Sequence, residues 1–295
     1  MSRKVFSDIL DANLVMADHV VFIGIKGVCR KGGFMYIPAT IKAYTRGKSY
    51  QMDKVGMSGA KILRFEDMVL KIRPSGEGPD HEHQMMAWLK GRLPVPEVLC
   101  RKVEDGMDYL LMGCVSGEMA CSDKYYREPE ELVRLLAEGL KMLWKVEIRE
   151  CPCTNDIQNK LRLAKRQVED GACDMENAEA ETYGEGGFRD PAELLQWLIE
   201  HQPEEELVFS HGDFCLPNVF FEDGRVSGFI DLGDCGIADR YQDIALCYRS
   251  LKHNLNGKYG RKAVAGFEAE RLFEELEIEP DWEKIRYFIL MDELF

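Results

Sequence analysis

Three side chains stand at a spacing that suits phosphoryl transfer. The run Phe209-Ser210-His211-Gly212-Asp213-Phe214-Cys215-Leu216-Pro217-Asn218 is followed by Phe229-Ile230-Asp231-Leu232-Gly233. Asp213 precedes Asn218 by five residues, and Asn218 precedes Asp231 by thirteen. A loop of that length sets one carboxylate at a substrate hydroxyl and an amide oxygen one turn further on, at a metal. A hairpin between Asn218 and Asp231 returns a second carboxylate to the same ion. Two oxygens from the protein, completed by water and phosphate oxygens, suit Mg²⁺, which keeps part of its hydration shell. A lone His-Gly-Asp would read as a turn and a lone Asp231 as a helix cap; the spaced set points to chemistry.

The five-residue step from aspartate to asparagine resembles the protein-kinase catalytic loop, and the later Asp-x-Gly resembles its metal-binding aspartate. Such a set needs a lysine for the nucleotide phosphates and an acid to hold it. Lys71, flanked by Leu70 and Ile72, and Glu82 on the following helix are the candidates. By itself Lys71 would read as a solubilising edge-strand lysine. The turn Gly56-Met57-Ser58-Gly59-Ala60 places Ser58 and its neighbours where backbone N–H groups can cover phosphates, although it is not a full G-x-G-x-x-G. His81-Glu82-His83 is not a zinc motif, because adjacent helical positions diverge and the two imidazoles share no face.

These residues need elements to carry them. Short apolar or alternating runs at 50–55, 60–65 and 68–73 predict strands. A Gly/Pro-rich turn leads to a helix carrying Met85, Met86, Trp88 and Leu89, and a hairpin around Glu104-Asp105-Gly106 follows. The sum is a five-stranded antiparallel sheet with one inserted helix. Beyond Gly117, Leu132, Leu136, Leu140 and Leu143 fall on one helical face. Further helices are predicted at 156–169 and 190–200, with an acidic, glycine-rich loop at 169–190 between them. A hairpin turns at Glu222-Asp223-Gly224-Arg225, and helices fill the remainder. The expected class is α+β, a two-lobed protein-kinase-like fold. A small antiparallel N-lobe at 35–116 joins a larger helical C-lobe at 117–295 through one strand near Met112–Gly117.

Composition narrows the function. The 295 residues carry 52 acids against 38 bases, a formal charge of −14. That argues against a nucleic-acid binder, which needs clustered Lys and Arg, and against an anionic membrane surface. The ten cysteines include a C-x-C at Cys151 and Cys153 but no zinc or redox spacing. With neither a secretory signal nor an apolar run of about 20 residues, the expectation is a reduced, cytoplasmic protein with no obligate protein partner. Residues 1–34 lack periodicity and end in Arg30-Lys31-Gly32-Gly33 ahead of Phe34-Met35. They read as translated leader, with Met35 the start, or as a disordered extension.

Longer segments carry a closer resemblance. Val55–Ala60, Leu93-Pro94-Val95-Pro96, Ser210–Asp213 through Asn218, Ser227–Gly233, Ala238–Ala245 and the terminal Leu290-Met291-Asp292-Glu293-Leu294-Phe295 resemble the aminoglycoside 3'-phosphotransferases. The resemblance implies ATP, or GTP in its place, with Mg²⁺, and a cationic aminoglycoside phosphorylated at its 3'-hydroxyl. It implies Asp213 as the group that accepts or orients the hydroxyl proton, and Asn218 and Asp231 as the metal ligands. Lys71 with Glu82 would position the α- and β-phosphates, and Met112 to Val115 would border adenine. Asp292, Glu293 and the Phe295 carboxylate would meet substrate ammonium groups, with Glu176 and Glu179 from the acidic loop. Three positions depart from the family. Asp234 stands where relatives carry arginine, His253 where they carry an acid, and Val69 where some carry an aromatic residue. Two alternatives remain at this level: a kinase of a small metabolite alcohol such as choline, and a catalytically silent nucleotide-binding protein.

Overall fold

The computed structural model describes residues 36–53, 60–75 and 79–295. The turn with Ser58, expected to cover phosphates, and residues 1–34, expected to be leader or extension, lie outside the described residues. The chain runs α1 (Ala39–Thr45), β1 (Gln51–Asp53), β2 (Lys61–Arg64), β3 (Met68–Pro74), α2 (Pro79–Leu89), β4 (Val98–Glu104) and β5 (Met107–Gly113). It continues through β6 (Glu118–Met119), α3 (Asp123–Arg127), α4 (Pro129–Trp144), α5 (Ile157–Asp170) and α6 (Pro191–Glu200). The last elements are β7 (Leu207–Ser210), β8 (Val219–Glu222), β9 (Arg225–Phe229), β10 (Gly236–Asp239), α7 (Arg240–Leu255), α8 (Arg271–Leu276) and α9 (Trp282–Asp292).

Two compact units result. One takes the chain up to Pro79 together with Pro96–Cys114, the other Asp80–Val95 together with Val115–Phe295. The chain therefore crosses between them three times, and one crossing, after Cys114, falls in the stretch where a single linking strand is expected. Helix α2, expected with the strands, groups with the second unit. His81 Nε2 lies 2.8 Å from the Cys235 carbonyl oxygen, and the Trp88 ring packs 5.6 Å from Phe209.

In the first unit the antiparallel sheet has the order β1-β2-β3-β5-β4. Strand β3 lies at its centre, with Lys71 opposite Ile62 on one side and Leu110 on the other. An edge-strand role for Lys71 is thereby removed: it is 8% exposed on an interior strand. Leu63, Leu70, Ile72 and Leu111 bury one core together with Ile41 of α1. The β4–β5 hairpin turns on Asp105 (φ 51°) and Gly106 (φ 72°). Two successive positive φ values define the tight turn whose twist matches the strands it joins, which is why Asp-Gly is favoured there.

The second unit is built on α4, whose Leu132, Leu136, Leu140 and Leu143 are fully buried, as their spacing requires. Side-chain caps begin α5, α6 and α9. Asp156 accepts from the Asn159 N–H at 2.9 Å and Asp190 from the Glu193 N–H at 2.9 Å. Asp281 caps α9 through the N–H groups of Glu283 and Lys284. The β8–β9 hairpin repeats the Asp-Gly turn, with Asp223 at φ 49° and Gly224 at φ 70°. One pairing was not expected: β7, which leads into the His-Gly-Asp run, pairs antiparallel with β10, which follows Asp-x-Gly, so that Ser210 faces Gly236. This two-stranded ribbon ties the two halves of the motif together.

Candidate active site

The His211–Asn218 loop is a network of hydrogen bonds that leaves Asp213 little freedom. The buried Asp243 carboxylate on α7 accepts the N–H groups of His211 and Gly212 at 2.7 and 2.9 Å. The Gly212 carbonyl in turn accepts from Gln242 Nε2 at 2.9 Å. Gly212 adopts φ +84°, and a Cβ there would collide with the Asp234 carbonyl oxygen; only glycine meets both demands. His211 is wholly buried, its Nε2 3.0 Å from the Ile230 carbonyl oxygen and its ring packed on Phe214 and Phe229. Its backbone and ring thus bind the His-Gly-Asp run to both α7 and the Asp231 segment.

Asn218 Nδ2 donates to the Asp213 carboxylate at 2.9 Å and to the Asp213 carbonyl at 3.0 Å. The orientation of the Asn218 amide is fixed, so its oxygen is the atom left to accept or ligate. Ile230 N–H donates to the Asn218 carbonyl at 3.0 Å, which brings Asp231 alongside. Asp231 is exposed and left-handed, at φ 58° and ψ 60°, a conformation rare for a residue with a Cβ and concentrated at functional sites. An amide oxygen and an exposed carboxylate held by adjacent backbone fit a magnesium ion. Among the described residues no cluster of three or more His, Cys, Asp or Glu side chains forms an all-protein metal cage.

Burial pushes the Asp213 carboxyl above its ordinary value. A Cys215 thiol hydrogen bond and the His211 imidazole oppose the rise, while the charges of Asp292 and Asp231 add to it. A carboxylate destabilised in this way is a better proton acceptor than a solvated one.

The remaining expected site residues fall in two groups. In the first unit Lys71 sits on β3 and the buried Met112 on β5, where Met112 is opposite Val69. In the second, Glu82 is buried on α2, and Val115 packs over Gly228, where any Cβ would strike its side chain. Three of the expected substrate-facing acids are paired with cations of the chain itself. Arg249 of α7 pairs with Asp292 and, at 3.5 Å, with Glu293. Glu179 pairs with Lys258 at 2.7 Å and meets His253 Nε2 at 3.3 Å. The Glu179 N–H donates to Glu293 Oε2 at 3.0 Å, which pins the acidic loop to the C-terminal end of α9. Glu176 is exposed and outside this cluster; its N–H donates to Asp174. The Phe295 ring lies 5.4 Å from Lys160 Nζ.

A family model described as "Phosphotransferase enzyme family" matches residues 56–288. Over 258 residues the chain is 42% identical to an aminoglycoside 3'-phosphotransferase of Enterococcus faecalis, covering 82% of this chain and 92% of that one. The chain belongs to the aminoglycoside 3'-phosphotransferase family. Among solved structures, an aminoglycoside-3'-phosphotransferase of type VIII is 26% identical, with a TM-score of 0.72 over 87% of this chain and 97% of that one. An aminoglycoside phosphotransferase of Streptomyces rimosus, in complex with ADP and streptomycin, shares the fold at 24% identity. Its TM-score is 0.72, over 86% of this chain and 95% of that one.

Two residues that spacing alone did not single out hold the backbone of the loop. Asp243 and Gln242 lie within the family-like Ala238–Ala245 segment yet touch no reacting group; they act by holding backbone. The available signal was chemical: Gln242-Asp243 opens a helical run of apolar residues, where a buried carboxylate demands partners. Arg249 and Lys258 left no such trace, because their acid partners lie far away in sequence.

Proposed function

We propose that this chain transfers the γ-phosphoryl group of ATP to a hydroxyl of an aminoglycoside antibiotic, at the 3' position, and so confers resistance. The observation that carries the reading is the Asp213 carboxylate fixed beside Asn218 on a loop anchored by Asp243. The 42% identity to an enzyme of that activity supports it. The ADP complex of the S. rimosus protein supports the choice of nucleotide.

In this reading Asp213 orients the acceptor hydroxyl and takes its proton as the oxygen–phosphorus bond forms. Asn218 and Asp231 hold Mg²⁺, which when bound neutralises charge on the phosphoryl oxygens. Lys71 and Glu82 are the residues for the α- and β-phosphates, and Met112 and Val115 those for the adenine. Glu179, Asp292 and Glu293 receive the ammonium groups of the antibiotic, with Phe295 and Glu176 at the margin. The protein forms no covalent intermediate, so positioning and electrostatics account for the rate. Among the described residues no helix is long and apolar enough to cross a membrane, and every described cysteine is unbonded, which supports a reducing cytoplasmic setting.

The test is expression in a susceptible bacterium, with the inhibitory concentrations of kanamycin and neomycin measured beside those for Asp213→Ala. The expected result is resistance that Asp213→Ala abolishes, with phosphoryl transfer by the purified variant reduced about 10²–10⁴-fold. Equal resistance with and without the aspartate would overturn the role of Asp213. No resistance with either chain, and no transfer in vitro, would overturn the function.

A further inference from the structure

Lys258 is an ammonium on the chain, seated on a carboxylate that a substrate amine is expected to use. Its Nζ donates to both oxygens of Glu179, at 2.8 and 2.7 Å. The Nε2 of His253 stands 3.3 Å from the same carboxylate and 3.5 Å from the lysine nitrogen. Burial pushes the His253 pKa below its ordinary value, so at neutral pH the lysine supplies the positive charge. Around it the three carboxylates Glu179, Asp292 and Glu293 face two fixed cations, Arg249 and Lys258. A cluster expected to attract a polycation therefore keeps a single negative charge.

The two cations differ in how they are held. Arg249 lies on α7 with its side chain 18% exposed and grips Asp292 and Glu293 together. Lys258 lies beyond the end of α7, in a turn flanked by Gly257 and Gly260 at φ +87° and +82°, with its side chain 44% exposed. The Lys258 N–H is bonded separately, to the His253 carbonyl at 3.2 Å and to Asn256 Oδ1 at 3.0 Å. The turn is thus secured by its backbone, and the four-carbon side chain is free to swing into water without unwinding anything.

We infer that Lys258 is a built-in competitor for the aminoglycoside: it occupies Glu179 until an amine of the substrate displaces it. The inference rests on the reading above, in which Glu179 receives a substrate amine. Its consequence is selection. An amine replaces the lysine charge for charge, whereas a hydroxyl at the same place leaves Glu179 better served by Lys258 than by the substrate. The apparent affinity for every substrate is lowered by the fraction of molecules in which Lys258 is seated.

Titration of kanamycin into the nucleotide-free protein by calorimetry, at low salt, tests this with Lys258→Met, Lys258→Arg and the same changes in a Glu179→Gln background. Lys258→Met is expected to bind about 2- to 5-fold tighter than wild type, the range of a partly exposed ion pair. Lys258→Arg should stay near wild type, and Lys258→Met should have no effect once Glu179 is glutamine. Wild type that binds kanamycin with Lys258→Met equal to it or weaker overturns the inference alone. Wild type that neither binds nor phosphorylates kanamycin overturns the functional reading beneath it.

Discussion

The carboxylate of Asp243 accepts the backbone N–H of Gly212 at 2.9 Å, one residue before Asp213, from wholly inside the protein. It also takes the His211 N–H at 2.7 Å, so one buried anion satisfies two consecutive amides of the His-Gly-Asp run. Asparagine at 243 would keep the shape but lose the charge and turn an N–H₂ toward a donor. Hydrogen bonds to charged groups are the strong ones, and a buried donor left unpaired is costly. Asp243→Asn is expected to lower the melting temperature by about 5–10 °C and to reduce kcat more than it raises either KM. Scanning calorimetry with steady-state kinetics checks it; a melting temperature within a degree of wild type would remove Asp243 from the account.

Gly212 permits a sharper version of the same test. With φ at +84° and no room for a Cβ against the Asp234 carbonyl, Gly212→Ala must shift the loop or the segment after Asp231. A displacement of about 1 Å in a positioned group is enough to cost about 10²-fold in rate. The expected result is a folded protein by circular dichroism with kcat down by that order. Full activity in the alanine variant would contradict the geometry.

His253 makes stability sensitive to acid. Burial holds its pKa below the ordinary value of about 6.5, with Glu179 pulling the other way and Lys258, Arg249 and Lys252 reinforcing the drop. Between that lowered value and 6.5 the unfolded chain binds a proton that the native state does not, so stability falls as pH falls through this window. Glu179, also lowered, loses its contribution only below its unfolded value, near 4.5. His253→Gln is therefore expected to flatten the melting-temperature profile between pH 7 and pH 5. Parallel profiles for the two proteins would count against the assignment.

Asp234, three residues after Asp231, stands where the family resemblance implies an arginine. Its side chain is exposed, while its carbonyl is held by Asn155 Nδ2 at 2.7 Å, so the backbone does not depend on which side chain stands there. Restoring the family's arginine should place a cation beside the nucleotide phosphates. Asp234→Arg is expected to keep the wild-type melting temperature and to lower KM for ATP by about 2- to 5-fold. An unchanged or higher KM would show that another group already neutralises that charge.

What the sequence made legible was local. Asp105-Gly106 and Asp223-Gly224 announce their hairpins because positive φ at two successive residues is a property of those residues. The leucine spacing of α4 announces a buried face for the same kind of reason. Asp213, Asn218 and Asp231 stood out by their spacing, and the structure brings Asn218 Nδ2 to the Asp213 carboxylate and ties the Asn218 carbonyl to the residue before Asp231. The β7–β10 ribbon was not: each strand has four residues, and nothing in either names a partner across the intervening hairpin. The Asp243 clamp was equally silent, since the atoms it serves are backbone N–H groups common to all sequences. The neutralisation of Glu179 and Asp292 escaped notice because net charge counts ions without saying which of them meet.

The three crossings of the chain have a consequence for taking the protein apart. A cut between Pro79 and Asp80 would leave β1, β2 and β3 on one fragment and β4 and β5 on the other. Those fragments would share the ladder in which Met68–Pro74 of β3 lies against Met107–Gly113 of β5, the interior seam of the sheet. Neither piece carries the complete core of the first unit, because Leu70 and Ile72 would lose Leu111 and Tyr109. A gene split at that point therefore encodes two fragments that must meet to complete the five-stranded sheet, and antibiotic survival would report their reunion.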